Sequence, residues 1–303
     1  MILHRVTQVY RSQGAVGVLR AAIRRLRVPQ AACFRTCREI VQQANGIEVG
    51  GPSPIFATLG LLPCYSFAGR IDNCNFAPDT IFDNSRYTTA RERASTGREG
   101  KLFAFCKGKA PGQQFIAEGT NLHMIPSGCY DFMLSSHMLE HTANPLGALA
   151  EWRRVLRPGG GLVLVVPHRD GTFDHRRPVT TMDHLARDCE DQVGEDDLTH
   201  VAEVLSLHDV AGDYGVTDAE AFRERVKKNA ELRSIHHHVF DTQLAAAVVE
   251  SAGFELIAVE PLLPYHIVVL ARNASQHPPT RVSARLDLRD VLRASPFPTD
   301  REC

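Results

Sequence analysis

The chain has 303 residues, 44% hydrophobic and 23% charged, enough to bury a substantial core as one domain with appendages rather than two equal domains. Lys and Arg (34) nearly balance Asp and Glu (35), which excludes a polycation built to bind nucleic acid. No apolar run approaches the ~20 residues needed to span a bilayer. The eight cysteines, at 33, 37, 64, 74, 106, 129, 189 and 303, form no CxxC pair, which suits free thiols in a reducing, cytoplasmic setting.

The first 38 residues hold eight arginines and no acid. Val16, Leu19, Ile23 and Leu26 recur at helical spacing, while Arg20, Arg24, Arg25 and Arg27 take the remaining surface. The basic segment 1–45 reads as a helix packed on the main domain or touching an anionic membrane surface. A mitochondrial presequence shares its composition.

The main domain runs over 46–272. Ile47–Val49 is a predicted strand ending in Gly50-Gly51-Pro52, and Leu61–Phe67 a second. Residues 83–113, polar and rich in Arg, Lys and Gly, read as an inserted loop. Phe115–Ala117 and Tyr130–Leu134 are the third and fourth strands. Leu146, Leu149, Trp152, Val155 and Leu156 mark one face of a helix that starts near Pro145 and stops at Pro158 and Gly159–Gly161. Leu162–Val166 is apolar without alternation, as a strand covered on both faces would be, so this stretch forms a βαβ unit.

Residues 168–240 are polar and His-rich with helical patterns, notably over 197–209, and read as a cap. Leu244–Ala252 is a helix closed by Gly253, followed by strands Leu256–Val259 and His266–Leu270, separated by Pro261 and Pro264. The tail 273–303, with prolines and alternating charge, is expected to be flexible.

The run Tyr130-Asp131-Phe132-Met133-Leu134-Ser135-Ser136-His137-Met138-Leu139-Glu140-His141, continuing through Asn144-Pro145 to Arg154-Val155-Leu156-Arg157-Pro158-Gly159-Gly160, resembles the class I S-adenosylmethionine-dependent methyltransferases. It looks like their fourth strand, Leu-Glu-His turn, following helix and the RVLxPGG lead into strand five. The resemblance implies an α/β fold with a doubly wound, mostly parallel, Rossmann-like sheet and S-adenosylmethionine as cofactor. Glu48-Val49-Gly50-Gly51 then occupies the place of the family's acid and glycine-rich turn, where backbone approaches the cofactor. Pro52 and Pro54 stand where further glycines are common, and Ser53 can cap a following helix. By position Asp72 would accept from the ribose hydroxyls, and Glu118, followed by Gly119 and Thr120, matches where the family reads the adenine edge. Ser136 and His137 complete the expected cofactor set of Glu48, Gly50, Gly51, Pro52, Ser53, Asp72, Glu118, Gly119 and Thr120.

Beyond strand five, Val166–Asp170, Thr172–His175, Asp197–His200, Glu203, His208-Asp209 and His236–Asp241 resemble bacterial methyltransferases found with polysaccharide and glycolipid assembly genes, whose insertions cover the acceptor. Ten of the fourteen histidines lie between His137 and His238. Methyl transfer from a sulfonium needs alignment and, for a hydroxyl acceptor, removal of a proton, and an imidazole of pKa ~6.5 suits the latter. On a helix over 198–209, His200 and His208 fall within an apolar arc with Val201, Val204, Leu205 and Leu207, and Glu203 sits at its border.

His137, His168, His200, His208 and His238 form the expected catalytic set. The bland reading is buried histidines satisfied by backbone carbonyls. His236 and His238 share one face of an extended segment and, with His200, Glu203, His208 and Asp209, offer a divalent metal as an alternative cofactor; no ligand spacing is diagnostic, so no metal site is assigned. The expected activity is O-methylation of a sugar, glycolipid or other hydroxylated small molecule, with no nucleic-acid partner. A metal-dependent hydrolase on a similar core and a non-catalytic scaffold at a membrane are the alternatives; the prolines in the glycine turn support the scaffold.

Overall fold

A computed structural model describes residues 30–78, 102–103, 105–106, 108–213, 215–274 and 286–302. The expected basic helix over 16–26 and most of the inserted loop 83–113 lie outside the described residues. The strands are β1 Asn45–Val49, β2 Arg70–Asn75, β3 Leu102–Phe103, β4 Gly112–Ile116, β5 Tyr130–Ser136, β6 Leu156–Pro167, β7 Phe254–Leu262 and β8 His266–Asn273. They form one sheet in the order β3-β4-β2-β1-β5-β6-β8-β7. β1 pairs in parallel with β2 and β5, β2 with β4, and β5 with β6. β8 runs against both β6 and β7, and β3 against β4.

Two apolar cores cover this sheet, which is why β6 reads as an unbroken apolar run. Leu162, Leu164 and Val166 face a core shared with helix α2 (Pro145–Val155), through Leu149 and Trp152, and with helix α7 (Thr242–Ser251), through Leu244 and Val248. Val163 and Val165 face the other core, with Cys37 and Val41 of helix α1 (Phe34–Val41). The side-chain period of two sends alternate residues to opposite layers. Local capping sets the helix starts. Asn144 Oδ1 accepts from Gly147 N at 2.8 Å ahead of Pro145, and Asp241 Oδ1 accepts from Leu244 N at 2.7 Å.

Three expectations are corrected. Leu61–Phe67 is no strand; Leu62, Cys64 and Tyr65 bury their side chains against the sheet from turns and a 3-10 turn at Cys64–Ser66. The second strand is instead the polar run Arg70–Asn75. The stretch after Gly50 does not start a helix, and Ser53 caps nothing; residues 54–60 form successive turns. The tail, expected without regular structure, is folded over 286–302: it carries helix α8 (Leu288–Ala294) and packs on the domain through Asp300, which accepts from Thr242 Oγ1 at 2.6 Å. Leu256–Val259 and His266–Leu270 lie within the longer β7 and β8, and Pro261 is part of β7.

Helices α3 (Met182–Glu190), α4 (Val201–Leu207), α5 (Ala219–Lys227) and α6 (Asn229–Leu232) occupy the region between β6 and α7. Val204, Phe222, Val226 and Ile235 form a small separate core there. Among the described residues, no helix is long and apolar enough to cross a membrane, and the seven cysteines are free thiols.

Candidate active site

The chain passes from β1 outward to β2 and β4, then returns to β5 on the other side of β1. Such a reversal leaves a crevice outside the carboxyl ends of the strands. A cavity of about 440 Å³ opens there, within the ~300–1,000 Å³ typical of small-molecule sites. Its walls are strand ends: Val49 and Gly50 at the end of β1, Asn75 and Phe76 at β2, Glu118 and Gly119 after β4, Ser136 and His137 at β5, and Tyr265 and His266 entering β8.

Gly50 turns the chain at φ +84°, in the left-handed region, and a Cβ there would stand 2.9 Å from Met138 Cβ. The glycine is required twice, by its backbone and by the side chain that packs on it. Below the turn, Glu48 is fully buried and accepts from Tyr65 Oη at 2.6 Å, while Tyr65 Oη accepts from Ser53 N at 2.7 Å. Burial pushes the Glu48 carboxyl up to about 8, against the Tyr65 hydrogen bond. Its Oε1 has no hydrogen-bond partner. Glu48 and Gly51 thus lie under the turn, whereas Gly50, Pro52 and Ser53 line the cavity.

Glu118 and Gly119 line it as well; Thr120 faces a neighbouring hollow. Trp152 Nε1 of α2 donates to Gly119 O at 2.9 Å and so fixes this loop. Arg233 donates to Glu118 Oε1 at 2.7 Å and to Glu195 O at 2.9 Å, joining the cap to the sheet edge. Asp72 does not reach the site. It sits in mid-strand, about 10 Å from Asn75 at ~3.3 Å per residue. There it is held by Arg70, Gln113 N and Tyr130 Oη, the last at 2.7 Å. Asn75 occupies the strand end that the misplaced second strand hid.

The histidines separate into two groups. His137 lines the cavity at φ +51°, with its Nε2 2.9 Å from His266 Nδ1 and its Nδ1 3.5 Å from Glu140 Oε1. Glu140 is buried, and neither carboxylate oxygen has a hydrogen-bond partner. Burial disfavours its charge, but His137, His141 and His236 outweigh that and hold the carboxyl below its usual value. Burial also keeps His266 neutral, pulled down to about 3, and His141 to about 4. Glu195, another lining residue, is raised by burial to about 7.

The remaining expected catalytic histidines lie away from the cavity lining. His168 is buried, bonds Asp300 at 3.0 Å, accepts from Asp170 N and stacks on Phe297. His208 bonds Asp213 at 3.1 Å and stacks on Phe222. Both are buried, each tied to a carboxylate and stacked on an aromatic ring, and so hold structure together. His200, just before α4, and buried His238 meet in another cluster, with ring centroids 5.3 Å apart. Sequence reasoning missed Asn75, His141, Glu195, Arg233 and His266; of these only His141 stood in a quoted motif.

A family model described as a methyltransferase domain matches residues 90–164. The match takes in the strand-turn-helix-strand unit from β5 to β6 but not β1 and its turn. The matched segment is about a quarter of the chain, and with the sheet order it defines the class: residues 90–164 are similar to a methyltransferase domain, set in a Rossmann-like, mostly parallel sheet. Solved structures similar to it include a SAM-dependent methyltransferase from Aquifex aeolicus (12% identity, 80% of this chain and 90% of that one, TM-score 0.41). Another is the S-adenosylmethionine-dependent methyltransferase from Mesorhizobium loti (13% identity, 79% and 95%, TM-score 0.44). A curated relative, the uncharacterized 37.1 kDa protein in transposon TN4556 of Streptomyces fradiae, is 45% identical over 58 residues, or 18% of this chain. The match spans only 17% of that relative's length.

The residues at the sheet edge fit S-adenosylmethionine. Ser136 Oγ is buried in the lining without a hydrogen-bond partner. Asn75 and Glu118 stand at successive strand ends, as acceptors for hydroxyl and amine donors.

Proposed function

We propose that the protein moves a methyl group from S-adenosylmethionine to a hydroxyl oxygen of a small acceptor, with His137 as the general base. One observation carries this reading: an imidazole lines the cavity while its other face stands 3.5 Å from a buried carboxylate that has no hydrogen-bond partner. The cofactor, when bound, supplies an electrophilic methyl on sulfur.

The chain's own task is to hold the acceptor oxygen in line and to remove its proton. The Glu140 carboxylate 3.5 Å from Nδ1 favours the tautomer protonated there and so leaves Nε2 as the basic nitrogen, as in carboxylate–imidazole pairs elsewhere. On taking a proton, Nε2 gives up His266 Nδ1, and the imidazolium is stabilised by the Glu140 carboxylate. The Gly50 turn, Ser53, Asn75, Glu118 and Ser136 would hold the cofactor. Glu195, Thr142 and Tyr265, in the same lining, would meet the acceptor.

A sugar or glycolipid acceptor is the class implied by the resemblance of the cap segments over 168–240. Peripheral membrane contact through the basic residues 1–38 belongs to the same reading. A calorimetric titration with S-adenosylmethionine tests its foundation: saturable binding is expected, and no heat at millimolar cofactor would refute it. Methylation assays over sugars and glycolipids, compared with amine and carbon acceptors, then test the hydroxyl.

A further inference from the structure

Away from the cavity lining, three imidazoles and a carboxylate converge from separate parts of the cap. His184 and Asp188 stand one turn apart on α3, His200 immediately precedes α4, and His238 ends the His236-His237-His238 run. One ligand atom from each lies within 4.8 Å of the others. His184 Nε2 is 3.2 Å from His200 Nε2 and 3.3 Å from Asp188 Oδ2, and Asp188 Oδ2 is 3.7 Å from His238 Nε2. A tetrahedron with bonds of 2.0–2.1 Å has edges of roughly 3.3 Å.

We propose that His184, Asp188, His200 and His238 bind a divalent transition metal ion of the zinc type, closing the cap around it.

Hydrogen bonding alone leaves this cluster poorly satisfied. His184 Nε2 and His200 Nε2 face each other, so a single proton can serve only one of them as donor. Asp188 Oδ2 is buried without a hydrogen-bond partner. His238 is fully buried; its Nε2 donates to Ala143 O at 3.1 Å, and its Nδ1 has no partner. To ligate through the Nε2 that faces Asp188, His238 releases Ala143 O. Three nitrogens with one oxygen suit zinc or its neighbours, whereas magnesium and calcium seek oxygen ligands.

The other ligands weighed from sequence are engaged elsewhere. Glu203 bonds Arg177, His208 bonds Asp213, and Asp209 lies beside Arg176. Four protein ligands leave no open position, which marks a structural rather than a catalytic ion. The site joins α3 and the start of α4 to a segment whose His238 N donates to Glu140 O at 3.3 Å. The ion thereby braces the turn that carries Glu140. The inference stands independently of the acceptor and of S-adenosylmethionine binding.

The test uses the full chain stripped by chelator and titrated with Co²⁺, whose visible spectrum reports geometry. One Co²⁺ per chain with the intense bands of tetrahedral coordination, displaced by Zn²⁺, is expected. Absence of stoichiometric uptake, or only the weak bands of octahedral cobalt, overturns the proposal, and this measurement on the unmodified chain decides by itself. The double variant His184→Ala/Asp188→Asn should weaken Co²⁺ binding on the order of 100-fold or more, while Glu203→Gln should bind as the parent does. Tetrahedral binding undiminished in the double variant also overturns it.

Discussion

The sheet edge and the cap use histidine in opposite ways. In the cap, His168 and His208 are closed into protein by Asp300 and Asp213 and by aromatic faces. At the sheet edge, His137 faces a cavity, and its carboxylate neighbour Glu140 has no hydrogen-bond partner. What separates the two roles here is whether the imidazole faces the cavity, and residue type and sequence clustering do not reveal that.

Substitutions can sharpen or break the contrast. His137→Gln should reduce kcat by roughly 10²- to 10⁴-fold, the usual worth of a positioned base. S-adenosylmethionine affinity should stay within about twofold, as steady-state kinetics and calorimetry will show. Unchanged turnover would erase the distinction between the two regions. Gly50→Val should weaken cofactor binding on the order of 100-fold, about 2.7 kcal/mol. The cause is the left-handed backbone and the contact with Met138, and calorimetry reads it.

On the cap side, His168→Ala should lower stability by about 1–3 kcal/mol through the stranded Asp300. Denaturant melts will report this, with cofactor affinity unaltered. Asn75→Ala should cost roughly tenfold in cofactor affinity, the scale of one hydrogen bond. Asp72→Asn should cost less than about twofold, because that carboxylate braces strands instead of facing the cavity.

A pH slope tests the buried carboxyl beneath the Gly50 turn. Glu48 is raised to about 8 by burial, so the unfolded chain ionises this group at lower pH than the folded one. Its contribution is therefore fully present below about 4.5, the ordinary value, and is lost as pH rises toward about 8. Glu48→Gln should flatten this part of the stability profile in melts taken across that window.

The unit from β5 to β6 was legible because its signals agree: a buried apolar strand, Asn144 and Pro145 opening the helix, and an unbroken apolar run after it; the helix ends earlier than expected, at Val155, and Pro158 and Gly159–Gly161 lie inside β6. The second strand was not. Arg70–Asn75 is polar, yet it lies buried because Asp72 is paired by Arg70 and Tyr130, and Asn73 by Gly51 O and Gln114. The apolar Leu61–Phe67 took its place in the reading because burial and strand geometry are separate properties; that stretch is buried from turns. The error carried Asp72 into the expected site and left Asn75 out. The tail misled similarly: its charge and prolines disguise Asp300, which binds Thr242 and His168 across 58 and 132 residues. Arg233, Glu195 and His266 reach the cavity only through tertiary folding, and no local spacing announces them.

The most direct test of the central claim is a crystal structure of the protein with S-adenosylhomocysteine. The account predicts the nucleoside at the carboxyl edge of the sheet between Gly50, Asn75 and Glu118, with the sulfur directed toward His137. Density for the nucleoside at any other surface, or a sulfur turned away from His137, would contradict it.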